Sequence, residues 1–453
     1  MSPAAPPSWL TTPAPVAPLA GMAIVLALTS ALLGGVWWWR RRAGPAAEHT
    51  RKAVHIGMGA VASLLPWLFD RTWPVLVLCG GLAAAFVTLK ALARQSTLGQ
   101  AMHDIGRDSR GDLYFALSVA ALWVLARGDR LLYLVPVLVL TLGDAMAALV
   151  GMHYGRRYFD GARTGKTLEG SVALFVVAFL SVQVPLALAA RVPLVDGVVM
   201  AATMALLVTL LEAMAWHGLD NVLVPIGAYL LFRTAVTLDT AALVWRLGMA
   251  LAFVGVVATA RARTTLNDAA LAGAALIGYL VWALRGWWWV VPPVALFAVY
   301  TWLFPRSSRT AGREHDIHAV GGVALPALAW LFLGQLGRDL DTFVPYVSTF
   351  VAQMAMIGVV HASVHGAAPR PRLMLPVALG GALVMLPVVL LVRPWLLVPM
   401  ACAASLVGAT VAGMAINRGM HRVAAGLHLE PQWDRQAWWA LVASLATAPL
   451  LRW

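Results

Sequence analysis

Residues 143–170 read GDAMAALVGMHYGRRYFDGARTGKTLEG. The stretch opens with an acid, Asp144, at the end of an apolar run (Leu131 to Leu142) suited to a bilayer. Glycines follow at 151, 155, 161 and 165, with cations at Arg156, Arg157, Arg163 and Lys166. The segment closes as Gly165-Lys166-Thr167-Leu168-Glu169-Gly170, and an apolar run starts at once. A carboxylate at a helix end, a basic glycine-rich loop and a Lys-Thr entering the next helix suit the holding of a metal–polyphosphate at a membrane surface.

The rest of the chain supplies the membrane. Of 453 residues, 61% are hydrophobic and only 12% charged, whereas soluble domains carry about a quarter charged residues. Each span needs roughly 20 apolar residues, and runs of that kind predict about fifteen or sixteen helices. The runs are continuous and do not alternate, which excludes a lipid-facing barrel and predicts an all-α polytopic membrane protein. Cys79 and Cys402 are the two cysteines; both lie in apolar runs, excluding a disulfide framework and a cysteine-type zinc site.

The net charge of +13 is read as topology, with no nucleic-acid partner, because Lys and Arg fall in short loops. Residues 1–17 are Pro/Ala-rich, lack the charged start of a signal peptide and are expected to be a disordered tail. The first run, Leu19 to Trp39, is followed by Arg40-Arg41-Arg42, which predicts the N-terminus outside and these arginines in the cytoplasm. Alternating sides from there puts most cations inside, in segments 40–52, 90–110, 156–166, 261–263, 306–313, 370–372 and 418–435. The same alternation puts the 143–170 loop on the cytoplasmic face of what is expected to be a bacterial cytoplasmic membrane.

Three further polar stretches interrupt the apolar pattern. Arg51-Lys52-Ala53-Val54-His55-Ile56-Gly57-Met58-Gly59 opens the second helix; it reads as an interfacial basic cluster or as site lining. The loop from Arg94 ends Arg110-Gly111-Asp112-Leu113-Tyr114-Phe115 and reads equally as solvated surface. Glu212 follows the apolar run Ala205 to Leu211, where a carboxylate is costly unless paired and marks a site. Beyond it, Asp220 and Asn221 suit either a helix cap or the site.

Two tempting motifs do not hold. Gly165-Lys166-Thr167 is not a Walker A sequence: that motif needs Gly at 160, where Asp stands, and a preceding strand. His361 and His365 have metal-ligand spacing but no Glu beside the first His and no third ligand in view.

Together RKAVHIG (51–57), RGDLYF (110–115), GDAMAALVG with GR and GKTLEGS (143–171), and Glu212 with GLDNVLVP (218–225) resemble the phytol kinase/dolichol kinase group of CTP-dependent polyprenol kinases. That group is similar to CTP-dependent diacylglycerol kinase and phosphatidate cytidylyltransferase. The resemblance covers roughly residues 40–260. It implies transfer of the γ-phosphoryl group of CTP, with Mg²⁺, to a lipid alcohol such as phytol, farnesol or geranylgeraniol.

Carried over motif by motif, the resemblance makes Asp144 and Gly165, Lys166, Thr167, Glu169 and Gly170 the nucleotide–Mg²⁺ site. It makes Arg51, Lys52, His55, Asp112, Glu212, Asp220 and Asn221 the remaining polar lining. On chemical grounds Asp144 and Glu169 are the expected Mg²⁺ contacts. Lys166 offsets phosphate charge with Arg156 or Arg157. Glu212 or Asp112 is the carboxylate for the acceptor hydroxyl, and both stay open. A CTP-dependent diacylglycerol kinase or cytidylyltransferase is one alternative. A multi-pass transporter is another, opposed by the gathering of charge at one membrane face.

The pattern changes near residue 260, predicting a kinase-like membrane domain over 18–260 and a second membrane domain over 261–453. Thr265 to Gly278, Gly286-Trp287 and Gly321-Gly322-Val323 resemble the membrane family containing phytyl-phosphate kinase. The segment from Thr342 to His361 lacks the acids which that family carries there. The second domain is therefore expected to be a diverged, non-catalytic partner.

Overall fold

The computed structural model describes residues 16–93, 111–158, 166–189, 192–215, 218–303, 315–336, 340–364, 370–392, 395, 397–423 and 433–450. Gly165, Arg163, the whole 94–110 loop, Trp216, His217, the 306–313 cations and His365 lie outside the described residues. Among the described residues the protein is helical, and its only β pairing is two isolated bridges.

The chain divides into two compact units, Met1–Ala250 and Leu251–Trp453. The first comprises α1 (Pro18–Ala43), α2 (Ala47–Leu68), α3 (Thr72–Ala93), α4 (Gly111–Ala126), α5 (Arg130–Tyr154), α6 (Leu168–Ala189), α7 (Leu194–Met214) and α8 (Asp220–Ala235). The division falls within α9 (Thr240–Ala260), about ten residues before the boundary read from composition. The second unit continues with α10 (Asp268–Arg285), α11 (Trp287–Leu303), α12 (Ile317–Leu336), α13 (Phe343–Val364), α14 (Arg370–Leu391), α15 (Leu397–Val423) and α16 (Trp433–Ser444).

Among the described residues nine helices are long and apolar enough to cross a membrane, and four shorter apolar helices accompany them. The protein is an all-α polytopic membrane protein, as the uninterrupted apolar runs require.

In the first unit α5 is the central helix, and its sequence shows why. Leu131, Val135 and Val139 lie on one face, in a core with Leu174 and Val182 of α6, Met204 of α7 and Phe232 of α8. Tyr133, Val137 and Leu140 lie on the other, in a core with Leu65 of α2, Val75 of α3, and Phe115 and Leu122 of α4. A helix apolar on both faces becomes the buried one. Its start is set by Asp129, whose carboxylate accepts from the Leu131 and Leu132 N–H groups at 2.9 and 3.1 Å.

Pro136 interrupts α5, and Val139–Gly143 form a π-helical turn before α-helix resumes at Asp144. Proline lacks the N–H that would continue the ladder. A π-turn accommodates one extra residue and rotates the helix beyond it; such turns recur at functional sites.

Lipid tails are as apolar as leucine, so helix association in a bilayer relies on close packing and polar contacts. Antiparallel α2 and α5 meet at Gly59, where a Cβ would clash with the Thr141 side chain. Farther along, the Tyr133 hydroxyl donates to the Ala62 carbonyl at 2.9 Å and Arg130 Nε to that of Pro66 at 3.1 Å. Helices α5 and α6 meet at Gly170, whose Cβ would lie 2.6 Å from the Ala147 carbonyl oxygen.

The second unit is built around α13, the most buried of its candidate spans. The Tyr346 hydroxyl of α13 donates to the Trp289 carbonyl of α11 at 2.7 Å. Gln353 donates to the Gly322 carbonyl of α12 at 3.0 Å and accepts from Gln436 of α16 at 2.7 Å. Neutral hydrogen bonds of this kind join helices without burying charge.

Candidate functional site

The polar stretches singled out above return to one end of the first unit, at the start of α2, the start of α4, the π-turn of α5, the entry to α6, the end of α7 and the start of α8. Two lysine–carboxylate pairs organise them.

In the first pair Lys52 Nζ donates to Asp144 Oδ2 at 2.6 Å and reaches the Asp144 carbonyl at 3.3 Å. His55, one helical turn on, places Nε2 3.4 Å from the same carboxylate oxygen and 3.5 Å from the Leu140 carbonyl. The His55 ring stands edge-on to Phe115 of α4, centroids 5.3 Å apart. The Lys52 side chain is 3% exposed and that of Asp144 18%, so this charge is kept near the membrane by its partner. The Leu140 carbonyl that His55 faces belongs to the π-turn, which thus shapes the backbone and the carboxylate orientation together.

In the second pair Lys166 Nζ stands 3.0 Å from Glu212 Oε1 and also donates to the Glu212 carbonyl. The two side chains are 19% and 9% exposed. The depth of Glu212 is thereby accounted for: it is a paired charge, as its position in an apolar run demands. The charges of Asp144 and Asp220 both act on Glu212, and those of Asp144 and Asp112 act on Arg51. The two pairs, with Arg51, Asp112 and Asp220, therefore form one electrostatic neighbourhood.

Backbone geometry explains the Gly and Thr of the central stretch. Leu168 N–H donates to the Arg157 carbonyl at 2.9 Å, and Tyr158 bridges Thr167, closing the loop at its base. The Thr167 hydroxyl accepts from Gly170 N–H at 3.1 Å and caps α6. Glu169 Oε2 accepts from the backbone N–H groups of Arg156 and Arg157 at 3.2 and 3.3 Å. Its carboxylate thus stabilises the turn after α5, a role its place in the sequence does not suggest. His153, Tyr154, Gly155, Arg156 and Glu169 line a cleft of about 520 Å³ beside this turn.

Asn221 and Asp220 separate in role. Asn221 Nδ2 donates to the Gly111 carbonyl at 3.2 Å, and the Asn221 carbonyl accepts from Ser118 at 2.6 Å, fastening α8 to α4. The buried Asn221 Oδ1 has no protein partner. Glu48, unremarked in the sequence, holds Arg51 at 2.9 Å; its i,i+3 spacing was the available signal.

Among the described residues no group of three or more His, Cys, Asp or Glu forms a metal cage. Mg²⁺ bound with substrate phosphates needs only one or two carboxylates, and the Asp144 carboxylate, 18% exposed beside Lys52, is of that kind.

The close approach at Gly170 gives a first prediction. Gly170→Ala is expected to destabilise the protein by about 1–3 kcal/mol through overpacking against the Ala147 carbonyl. Gly81→Ala, with nothing near its added Cβ, should leave thermal unfolding in detergent within about 2 °C of wild type.

The fold and this polar end define a polytopic membrane protein with two lysine–carboxylate pairs at one end of its first unit. The chain is 32% identical to the phytol kinase of Synechocystis sp. over 188 residues, covering 41% of this chain and 78% of that protein. It belongs to the phytol kinase family. No protein-family profile and no solved structure matches it.

Proposed function

We propose that the protein is a membrane prenol kinase that transfers the γ-phosphoryl group of CTP to the hydroxyl of an isoprenoid alcohol of the phytol, farnesol or geranylgeraniol type. The single observation that carries this reading is the pairing of Lys166 with Glu212 beside the Lys52–Asp144 pair, in a chain of the phytol kinase family. Phosphoryl transfer asks the protein for in-line positioning and charge neutralisation, with little covalent work, and paired, partly dehydrated charges supply both.

In this mechanism the triphosphate enters at the loop leading into α6 and takes over Lys166, whose ammonium offsets β/γ-phosphate charge with Arg156 or Arg157. The phosphates replace the Glu212 carboxylate as the partner of Lys166, which frees Glu212 to accept the proton of the prenol hydroxyl. The hydroxyl oxygen then bonds to the γ-phosphorus as the β–γ bridging bond breaks, giving prenyl monophosphate and CDP. Lys52 and His55 hold Asp144 in the orientation needed at the phosphates. Mg²⁺ would be held by Asp144 and would supply charge neutralisation and alignment of the phosphate oxygens. Arg51 and Asp112 border the site, with Asp112 the second candidate for the base. The cation distribution supports a cytoplasmic position for this face. Residues 261–453 are read as a non-catalytic membrane domain, supported by the absence of Asp and Glu from α13.

The test offers purified protein in liposomes γ-labelled CTP or ATP with Mg²⁺, and phytol, farnesol, geranylgeraniol or diacylglycerol in parallel. Label is expected in prenyl monophosphate, with CTP preferred. Label in diacylglycerol alone would replace the prenol by a glycerolipid, and folded protein that labels no lipid with either nucleotide would overturn the kinase reading.

A further inference from the structure

The cleft of about 520 Å³ where α5 ends and α6 begins has a size usual for small-ligand pockets. Two of its lining residues, Arg156 and Glu169, belong to the candidate site. The backbone ties the cleft to Lys166. The bridge between Tyr158 and Thr167, and the Leu168 N–H bond to the Arg157 carbonyl, run residues 156–158 alongside the entry to α6. Glu169 lies three positions after Lys166, at most about 11 Å of backbone. A molecule whose phosphates meet Lys166 therefore has its other end within reach of the cleft.

The cleft offers three kinds of contact. Tyr154 ends α5 and is 66% exposed, and the His153 ring stands edge-on to it, centroids 5.4 Å apart. An exposed aromatic at a helix end is ordinarily an interfacial anchor; here it shares a cleft with a fixed carboxylate and a cation. Glu169 Oε2 accepts from the Arg156 and Arg157 N–H groups at 3.2 and 3.3 Å. A carboxylate has roughly four lone-pair sites, so these bonds fix it without saturating it. Arg156 borders the same cleft, and its guanidinium is a planar fork of donors.

An acceptor, a donor fork and an exposed aromatic face match one nucleobase best. Cytosine presents an N4 amine that donates, beside N3 and O2 that accept. Uracil puts a carbonyl where the amine stands, and adenine has a C–H where cytosine has O2. We propose that this cleft reads the cytosine of CTP: Tyr154 stacks on the ring, Glu169 Oε1 accepts from the N4 amine, and Arg156 donates to N3 and O2. The proposal rests on the prenol kinase reading and leaves Arg157 with Lys166 for the phosphates. The carboxylate rejects uracil, and the fork rejects adenine.

The test measures binding and turnover separately. Full-length protein in liposomes with Mg²⁺ is titrated calorimetrically with CTP, UTP and ATP without alcohol, and phosphorylation of farnesol is then followed with each nucleotide. Wild type should bind CTP about ten-fold or more tighter than UTP or ATP. In Glu169→Gln the amide oxygen keeps the two backbone bonds and the amide nitrogen replaces Oε1, turning an acceptor into a donor. The CTP:UTP affinity ratio should fall about ten-fold or more, with UTP binding tighter than in wild type. Arg156→Lys, which keeps the charge and loses the fork, should lower the CTP:ATP ratio about five-fold or more. Tyr154→Ala should weaken every nucleotide by about five- to a hundred-fold and leave their ranking unchanged; an interfacial anchor alone would leave nucleotide binding intact.

Should Glu169→Gln fail to fold, the exposed positions Arg156 and Tyr154 decide the matter. Wild type that binds no nucleotide or shows no base preference overturns the base site, as do ratios that neither Glu169→Gln nor Arg156→Lys alters. An active kinase with such unaltered ratios sinks the base site and leaves the activity standing. CTP-selective binding that these variants relax, in a protein that phosphorylates no alcohol, does the reverse, so the two failures are distinguishable.

Discussion

Asp144→Asn is expected to lower kcat for prenol phosphorylation by about 10²–10³-fold, the usual cost of removing one charged group aimed at the reacting phosphate. Asparagine keeps the size of the side chain and still accepts a hydrogen bond from Lys52, but it no longer balances that ammonium or the charge of a bound metal. With Lys52 only 3% exposed, the substitution also leaves a buried cation without its counter-charge, a defect worth about 3–5 kcal/mol. Activity and stability therefore fall together in the single variant, and a second variant separates them. Lys52→Met combined with Asp144→Leu removes both charges and should recover most of the melting temperature. It should remain as inactive as Asp144→Asn. Recovery of activity in the double variant would show that the pair serves folding alone.

Lys166→Met is the second large effect. It strips the charge balance from Glu212, whose side chain is 9% exposed, and removes the cation proposed to meet the phosphates. The expected result is a fall in kcat/KM for the nucleotide of about 10²–10³-fold, with a stability loss of about 3–5 kcal/mol from the stranded carboxylate. Lys166→Arg should rescue stability more than turnover, since a planar fork does not reproduce a compact ammonium placed between two Glu212 oxygens. Glu212→Gln divides the roles further. If Glu212 receives the hydroxyl proton, this variant loses kcat while the nucleotide KM stays within about two-fold, and Asp112→Asn retains most activity. The opposite ranking would transfer the proton-accepting role to Asp112.

Each of these outcomes depends on contacts between residues far apart in the chain, and such contacts mark the limit of what a sequence displays. The all-α membrane class follows from composition and uninterrupted apolar runs, because hydropathy is a local property summed along one helix. The stretches that build the candidate site were legible too. Arg51 to Gly59, Asp144, the Lys166–Gly170 segment and Glu212 stand out as charge and glycine in an apolar chain, where a charge is expensive without a reason. Even the need of Glu212 for a partner could be read from its depth.

The identity of the partners could not. Lys52 and Asp144 are 92 residues apart and Lys166 and Glu212 are 46 apart; helical periodicity carries no information at those separations. Only the packing of α2 against α5 and of α6 against α7 brings them together. The same holds for Glu169, expected at the metal and found accepting from the Arg156 and Arg157 backbone. Its role depends on how the turn folds back, which no spacing rule encodes. The π-turn before Asp144 is likewise decided by tertiary structure. A helix's register is set by which side chains interlock across it, a property of the assembled bundle and of no single segment.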